Sequence, residues 1–518
     1  MFLGRSVFYL HLLLMMALVL LGPPGAAVAA SSPVRVSGDS PFADCATASY
    51  GTLYGNAEAE PSVASNPTNP LNLVGAWQQD RWSSGAARGL SSAYSTDGGD
   101  SWTEVPLPFT ACAQGGLAYD RASDPWVSFG PDGTAYTSAI ALGKDGSTAV
   151  VAATSTDGGK TWENAREVIV DGGNPRQFFN DKAAITADPT APGVAYVVWA
   201  RLESGGGDQE SEAQSGAPRA SAYFARTGDG GQTWSKPKAI TSAGAGEATG
   251  NQIVVDPRTG VLYDFFDLIA QSGRGRLSYT IGFVKSLDGG ETWREPKNVS
   301  DIRMAPVRVP GTRQTVRSGG ILPSVAIDPS AGTLYVVWMD SRFASGQYPE
   351  VAISVSGDDG ESWSAPARVN TPSDGPAFTP SVSVSAGGTV AVTYYDFRNY
   401  RVRSSPVLTD VVTGVHTALH LASVDAQAAA SLPTDYWATF STDGGETFGG
   451  EVHIAGKFDI LNAPNSGGYF LGDYQGLTTG NDAFVSFFVQ TASGDRTNRT
   501  DVFALSLVEP KPSYIDVH

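Results

Sequence analysis

Ser95-Thr96-Asp97-Gly98-Gly99-Asp100-Ser101-Trp102 is the stretch that decides the fold, because the chain repeats it. The same eight-residue pattern returns at 155–162, 227–234, 286–293, 356–363 and 441–448. Five positions are held throughout: Ser or Thr, Asp, Gly, Ser or Thr, and a closing Trp or Phe. Asp-Gly and Gly-Gly are strong hairpin signals, since Gly accepts the positive φ that a tight turn demands. The Asp carboxylate can accept hydrogen bonds from its own turn, and the hydroxyls do the same more weakly. The closing aromatic opens the outgoing strand and can bury a large area against a neighbouring unit. Asp97, Asp157, Asp229, Asp288, Asp358 and Asp443 therefore read as structural residues of repeated turns. A motif this regular means an array of similar units.

A second repeat alternates with the first. It is a strand, a turn and a stronger strand, as in Pro323-Ser-Val-Ala-Ile followed by Leu334-Tyr-Val-Val-Trp338. Copies begin near residues 60, 124, 181, 251, 323, 380 and 473. The turns between them are rich in Asn, Asp, Pro and Gly, so these are hairpins too. Two hairpins make a four-stranded antiparallel unit. Such sheets repeated radially make an all-β propeller, with seven blades expected and six as the alternative. The last unit is one strand short, and Val34-Arg35-Val36 can supply it and close the ring. Residues 31–518 then form a single domain. The one helix expected is an Ala-rich stretch at 424–432, inside an insertion at 399–434.

The first 30 residues read as a secretory signal. Arg5 precedes the apolar run 7–21, and Val28-Ala29-Ala30 is a small-residue cleavage site. No later segment is long and apolar enough to span a membrane. A soluble, exported monomer is expected. Its two cysteines, Cys45 and Cys112, then read as a disulfide. The net charge of −18 argues against nucleic acid and anionic membranes as partners. The turn pattern is the Asp box, or bacterial neuraminidase repeat. Through it the chain resembles the sialidase superfamily over residues 34–508.

That resemblance implies a glycan or polysaccharide partner. It also implies an active-site set of three Arg clamping a carboxylate, an Asp acid/base, and a Tyr nucleophile with a Glu partner. Arg suits the clamp because its planar fork matches two oxygens. Arg81 matches the second clamp position, and Tyr474 stands where the nucleophile would, beside Asp473. The position of the opening Arg falls at Ala59-Glu60-Pro61, so an acid replaces it. The stretch 83–89, where the acid/base Asp is expected, holds no carboxylate. Glu247 is the loose match for the Glu partner. The resemblance implies an exo-α-sialidase-type hydrolase. A non-catalytic glycan- or protein-binding propeller and a hydrolase or lyase of acidic polysaccharides are the alternatives.

Strand direction supplies candidates of its own. Starts of first strands and ends of second strands share the face opposite the repeated turns. The starts give Glu60, Asp124, Asp181 and Asp473. The ends give Asp80-Arg81, Arg201, Asp267, Asp340-Ser-Arg342 and Asp396-Phe-Arg398. Asp124 or Asp181 would protonate the leaving oxygen, Arg81 would orient a substrate carboxylate, and Tyr474 would attack. Glu60, Asp80, Arg201, Arg342, Asp396 and Arg398 would line the depression. The insertion at 302–319 adds Arg313 and Arg317, with Arg303 and Arg308, as an anion-binding patch. No cofactor is required by this chemistry, although clustered acids could ligate Ca²⁺. His416 and His420 would be a bare two-ligand metal pair.

Overall fold

The computed structural model describes residues 32–46, 50–172, 178–203, 219–242, 246–271, 276–400, 431–480, 483–492 and 494–509. The expected leader, His416, His420 and nearly all of the expected helix lie outside them.

The repeated turns fold as the sequence predicts. In the first, Ser95 Oγ and Ser101 N both donate to Asp97 Oδ1, at 2.8 and 3.0 Å, and Gly99 N donates to Ser95 Oγ at 2.9 Å. The other five repeat this set around Asp157, Asp229, Asp288, Asp358 and Asp443. Gly290, at φ 87°, is needed twice over, because a Cβ there would lie 2.2 Å from the Phe224 ring. Asp157→Ala would strip Thr161 N and two hydroxyls of their acceptor. A loss of about 1 kcal/mol is expected, as for a lost helix cap, and urea unfolding measures it.

Each turn joins the last two strands of a four-stranded antiparallel unit. The first unit is Ala59–Ser65, Leu73–Arg81, Ala87–Ser95 and Thr103–Pro106. The second is Arg121–Phe129, Ala135–Leu142, Thr148–Ser155 and Glu163–Asp171. First strands of later units are Phe178–Ala187, Glu247–Val255, Ser324–Ile327, Ala377–Val384 and Gly476–Gly480. The last sheet is completed from the other end of the chain. Val34 pairs with Ala504 and Arg35 with Phe503, antiparallel, as the N-terminal segment was expected to do.

Among the described residues, first strands touch in order, and Gly476–Gly480 returns to touch Ala59–Ser65. The units therefore close into a cycle, an all-β propeller arrangement. The closing aromatics bind each unit to the one before it. Trp162 Nε1 donates to Ser92 Oγ at 2.8 Å, and Trp293 meets Phe224 edge-on at 5.3 Å. Trp363 packs on Phe265 and Phe283, each at 5.9 Å. Trp102 of the first unit packs on Phe487 of the last, at 5.3 Å. Cys45 and Cys112 form the expected disulfide, joining the loops before the first and second units.

Candidate functional site

First strands enter the ring with a common defect. Pairing with the second strand slips between Ala59 and Ser62, Ser123 and Trp126, and Asp181 and Ala184. It also slips between Thr249 and Gln252, and between Phe378 and Ser381. Within these slips Glu60, Asp124, Lys182 and Thr379 take φ of 53°, 53°, 54° and 50°. Bulges re-aim side chains, and positive φ at non-glycine residues is a strain that clusters at functional sites. Pro61, Pro125 and Pro380 follow three of them and leave no orphaned N–H in the broken ladder.

The bulges bring acids and cations together at the mouth of the ring. Lys182 Nζ lies 2.6 Å from Asp473 Oδ2, 3.5 Å from Glu60 Oε1 and 3.8 Å from Asp124 Oδ1. Arg317 lays its fork on Asp473, with Nε to Oδ1 at 3.1 Å and Nη2 to Oδ2 at 2.5 Å. Arg317 arrives from the insertion before the fifth unit. There Val307–Arg308 pairs with Thr315–Arg317, which pairs in parallel with Tyr469–Phe470. Arg81 is buried, donating to Gln78 and, at 3.2 Å, to Ser466 Oγ. Gln78 in turn donates to Glu60 and to Ser123. The guanidinium carbons of Arg81 and Arg317 stand 4.6 and 4.4 Å from the centre of the Phe470 ring. Asp473 and Tyr474, with Trp126, Gln252, Thr379 and Gln475, help line a pocket of about 310 Å³, open solvent included.

Charge sorts the carboxyls in opposite directions. Burial would raise Asp473, but Lys182 and Arg317 outweigh it and hold the carboxyl far below the usual range. Burial would raise Asp124 as well, and Lys182 again leaves it below its ordinary value. Burial raises Asp181 to about 6, against the pull of Lys182. Burial and then Asp124 push Glu60 well up. Burial would lower Lys182, yet the surrounding carboxylates hold its pKa above the ordinary value. Tyr474 donates to Pro125 O at 3.3 Å, and burial followed by Glu60 pushes its phenol well up.

Several expected residues stand elsewhere. Asp80 accepts from Ser40 Oγ and the Asn56 N–H, and pairs with Arg88 at 3.2 Å, so it anchors the N-terminal segment. Arg201 forks onto Asp171 and covers Phe178. Arg342 returns to Asp340, which also accepts from the Trp338 indole at 2.9 Å. Arg398 joins Asp396 to Glu451 over Trp437. Asp80, Arg342 and Arg398 are thus paired within their own units, whereas Arg201 ties its unit to Asp171 of the unit before. Arg313, like Arg303 and Arg308, is exposed. Of the Arg-rich insertion, Arg317 is the member that enters the cluster, so the expected patch is not one surface.

Three participants escaped the sequence reading: Lys182, Phe470 and Gln78. A signal for Lys182 existed. Aligning Glu60-Pro61 and Asp124-Pro125 with Lys182-Ala183, rather than with Asp181, puts Lys182 at the bulge. Among the described residues, no grouping of three or more His, Cys, Asp or Glu is placed to hold a metal ion. Lys182 stands among Glu60, Asp124 and Asp473, three of the acids that the sequence set at the ring mouth. No helix among the described residues is long and apolar enough to cross a membrane.

No protein-family model matches the sequence, and no curated protein matches it. Solved structures similar to the chain include the GH93 α-L-arabinofuranosidase of Fusarium graminearum with arabinobiose. It is 16% identical, with 70% of this chain and 92% of that one covered and a TM-score of 0.43. A Penicillium chrysogenum α-L-arabinanase with arabinobiose is 12% identical over 92% of this chain and 98% of that one, at a TM-score of 0.44. The Hadza microbial sialidase Hz136 is 14% identical over 81% and 73%, at 0.45. The propeller assignment rests on the chain's own strand pairing.

Proposed function

We propose that this chain is an exported glycoside hydrolase, a seven-bladed Asp-box propeller that cleaves a glycan at the mouth of its ring. One observation carries the reading. Carboxyls in one cluster are driven apart in protonation, with Asp181 raised to about 6 while Asp124 and Asp473 are held ionised. Titratable groups pushed apart in this way mark acid and base roles. Asp181 is the general acid for the leaving oxygen. Asp124 is the ionised carboxylate that stabilises the cationic sugar or receives it. Lys182, helped by Glu60 and Arg81, keeps Asp124 charged against its burial and the neighbouring Asp473. Seven blades are supported by the closed cycle of first strands, and export by the disulfide.

The narrower form of this reading is an exo-α-sialidase. There Tyr474 attacks, the ionised Asp124 takes its proton, and Arg81 and Arg317 orient a substrate carboxylate. The Asp473 carboxylate already occupying the Arg317 fork favours the non-catalytic alternative, a glycan-binding propeller.

A panel of fluorogenic α-sialoside and nitrophenyl α-L-arabinofuranoside, with and without EDTA, separates these. It spans the sugars named for the structural neighbours. Hydrolysis of either glycoside supports the enzyme. Sialoside turnover lost in Arg81→Ala selects the sialidase form. Saturable glycan binding with no hydrolysis on the whole panel sinks the catalytic reading.

A further inference from the structure

Among the described residues, Tyr50 is the most exposed of the large apolar side chains, at 77%, yet it is tethered. Its carbonyl accepts from Arg121 Nη2 at 2.8 Å and from Ser84 Oγ at 2.6 Å. The Arg121 guanidinium lies between two rings, 5.0 Å from the centre of Tyr50 and 4.7 Å from that of Trp82. Trp82 and Arg121 are themselves buried, and Arg121 is fixed further by the Gly85 carbonyl at 2.8 Å. Tyr50 thus caps an ordered stack whose lower members are buried.

The stack stands beside the cluster. Trp82 follows Arg81 directly, and Arg121 precedes Asp124 by three residues on one strand. At a strand's rise, that is about 10 Å from the bulge. A single sugar does not cover this span, and a short oligosaccharide does. Tyr54 continues the rim, with its N–H on Arg81 O at 2.9 Å and its hydroxyl on Asn465 O at 3.4 Å. A rigid aromatic with one wet face offers contact area at low entropic cost. Prior fixation of such a side chain lowers the cost of binding.

We propose that Tyr50, held by Arg121 on Trp82, is a stacking subsite for the distal sugars of a bound oligosaccharide. The inference rests on the ring mouth being the glycan site, and it makes the ligand a chain rather than a lone terminal sugar.

The test is binding to an array of neutral and sialylated oligosaccharides of graded length, from one sugar to about six. The array reads retention, so it does not depend on turnover. The wild type should retain its best long glycan about tenfold better than the matching monosaccharide. Tyr50→Ala should lose that advantage and keep the monosaccharide signal, while Tyr50→Trp should keep both. Equal retention of long and short glycans by the wild type overturns the subsite, as does an unchanged length dependence in Tyr50→Ala. A wild type that binds long glycans best but hydrolyses none leaves the subsite standing and removes the catalytic reading. Hydrolysis of small glycosides without any length preference does the reverse. Binding to nothing on the array overturns both.

Discussion

Asp473→Asn is expected to destabilise the protein by about 3 kcal/mol. The carboxylate serves two cations at once, Lys182 at 2.6 Å and Arg317 at 2.5 Å, and is itself 5% exposed. Removing one partner of a buried pair leaves the other charge uncompensated and typically costs about 3–5 kcal/mol. The lower end applies, because Arg317 is one-third exposed and water screens part of its charge. The sign of the pH dependence follows from the depressed carboxyl. The unfolded chain takes up the proton in the ordinary carboxylate range and the native state resists it. This stabilisation is therefore present above the ordinary carboxylate range and is lost as the pH falls through it and below. Urea unfolding at neutral and at acid pH measures both effects. A gap between wild type and variant that stays constant into acid would contradict the assignment. Adding Lys182→Met to the variant should recover part of the loss, because it removes one stranded charge.

Asp181→Asn is expected to reduce hydrolysis by about 10²- to 10⁴-fold, the usual contribution of a positioned general acid. Asn keeps the size and the hydrogen-bonding ability but has no proton to give. Substrate binding should change little, so the loss should fall on kcat. An activated aryl glycoside needs less protonation of its leaving group and should lose less than an unactivated disaccharide. Equal losses on both substrates would point to a broken site rather than a missing acid. The raised carboxyl has its own signature in stability. Asp181 keeps its proton in the native state to about pH 6, while the unfolded chain releases it lower. Its contribution is present at low pH and fades as the pH rises through that value.

The architecture was legible because it is repeated. Each Asp–Gly turn states its own hydrogen bonds, and the alternating hairpins leave little freedom in how the strands pair. Even the closing strand at Val34–Arg35 follows from a last unit that is one strand short. The cysteine pair was legible for a different reason, through compartment and even count. The site was legible only in part. Glu60, Asp124 and Asp473 follow from strand direction, which places first-strand starts at the mouth. Lys182 does not, because a bulge shifts the inward position by one residue, and a period-two reading then selects Asp181 alone. Arg201, Arg342 and Arg398 were misread as central for a local reason. Composition along one strand does not show the Asp171 and Glu451 carboxylates that other strands supply, nor that Arg342 turns back onto Asp340 of its own strand end. Arg317 and Phe470 come from two distant insertions joined by a short parallel pairing, and no local pattern announces that contact.

The pH–rate profile of wild type beside Asp181→Asn tests the central claim most directly, that bulged first strands set an acid beside ionised carboxylates. On whichever glycoside is turned over, the wild-type rate should fall as the pH rises through about 6. The residual rate of the variant should lack that descending limb. A wild-type rate that stays level across this range, or a variant that keeps the same limb, would contradict it.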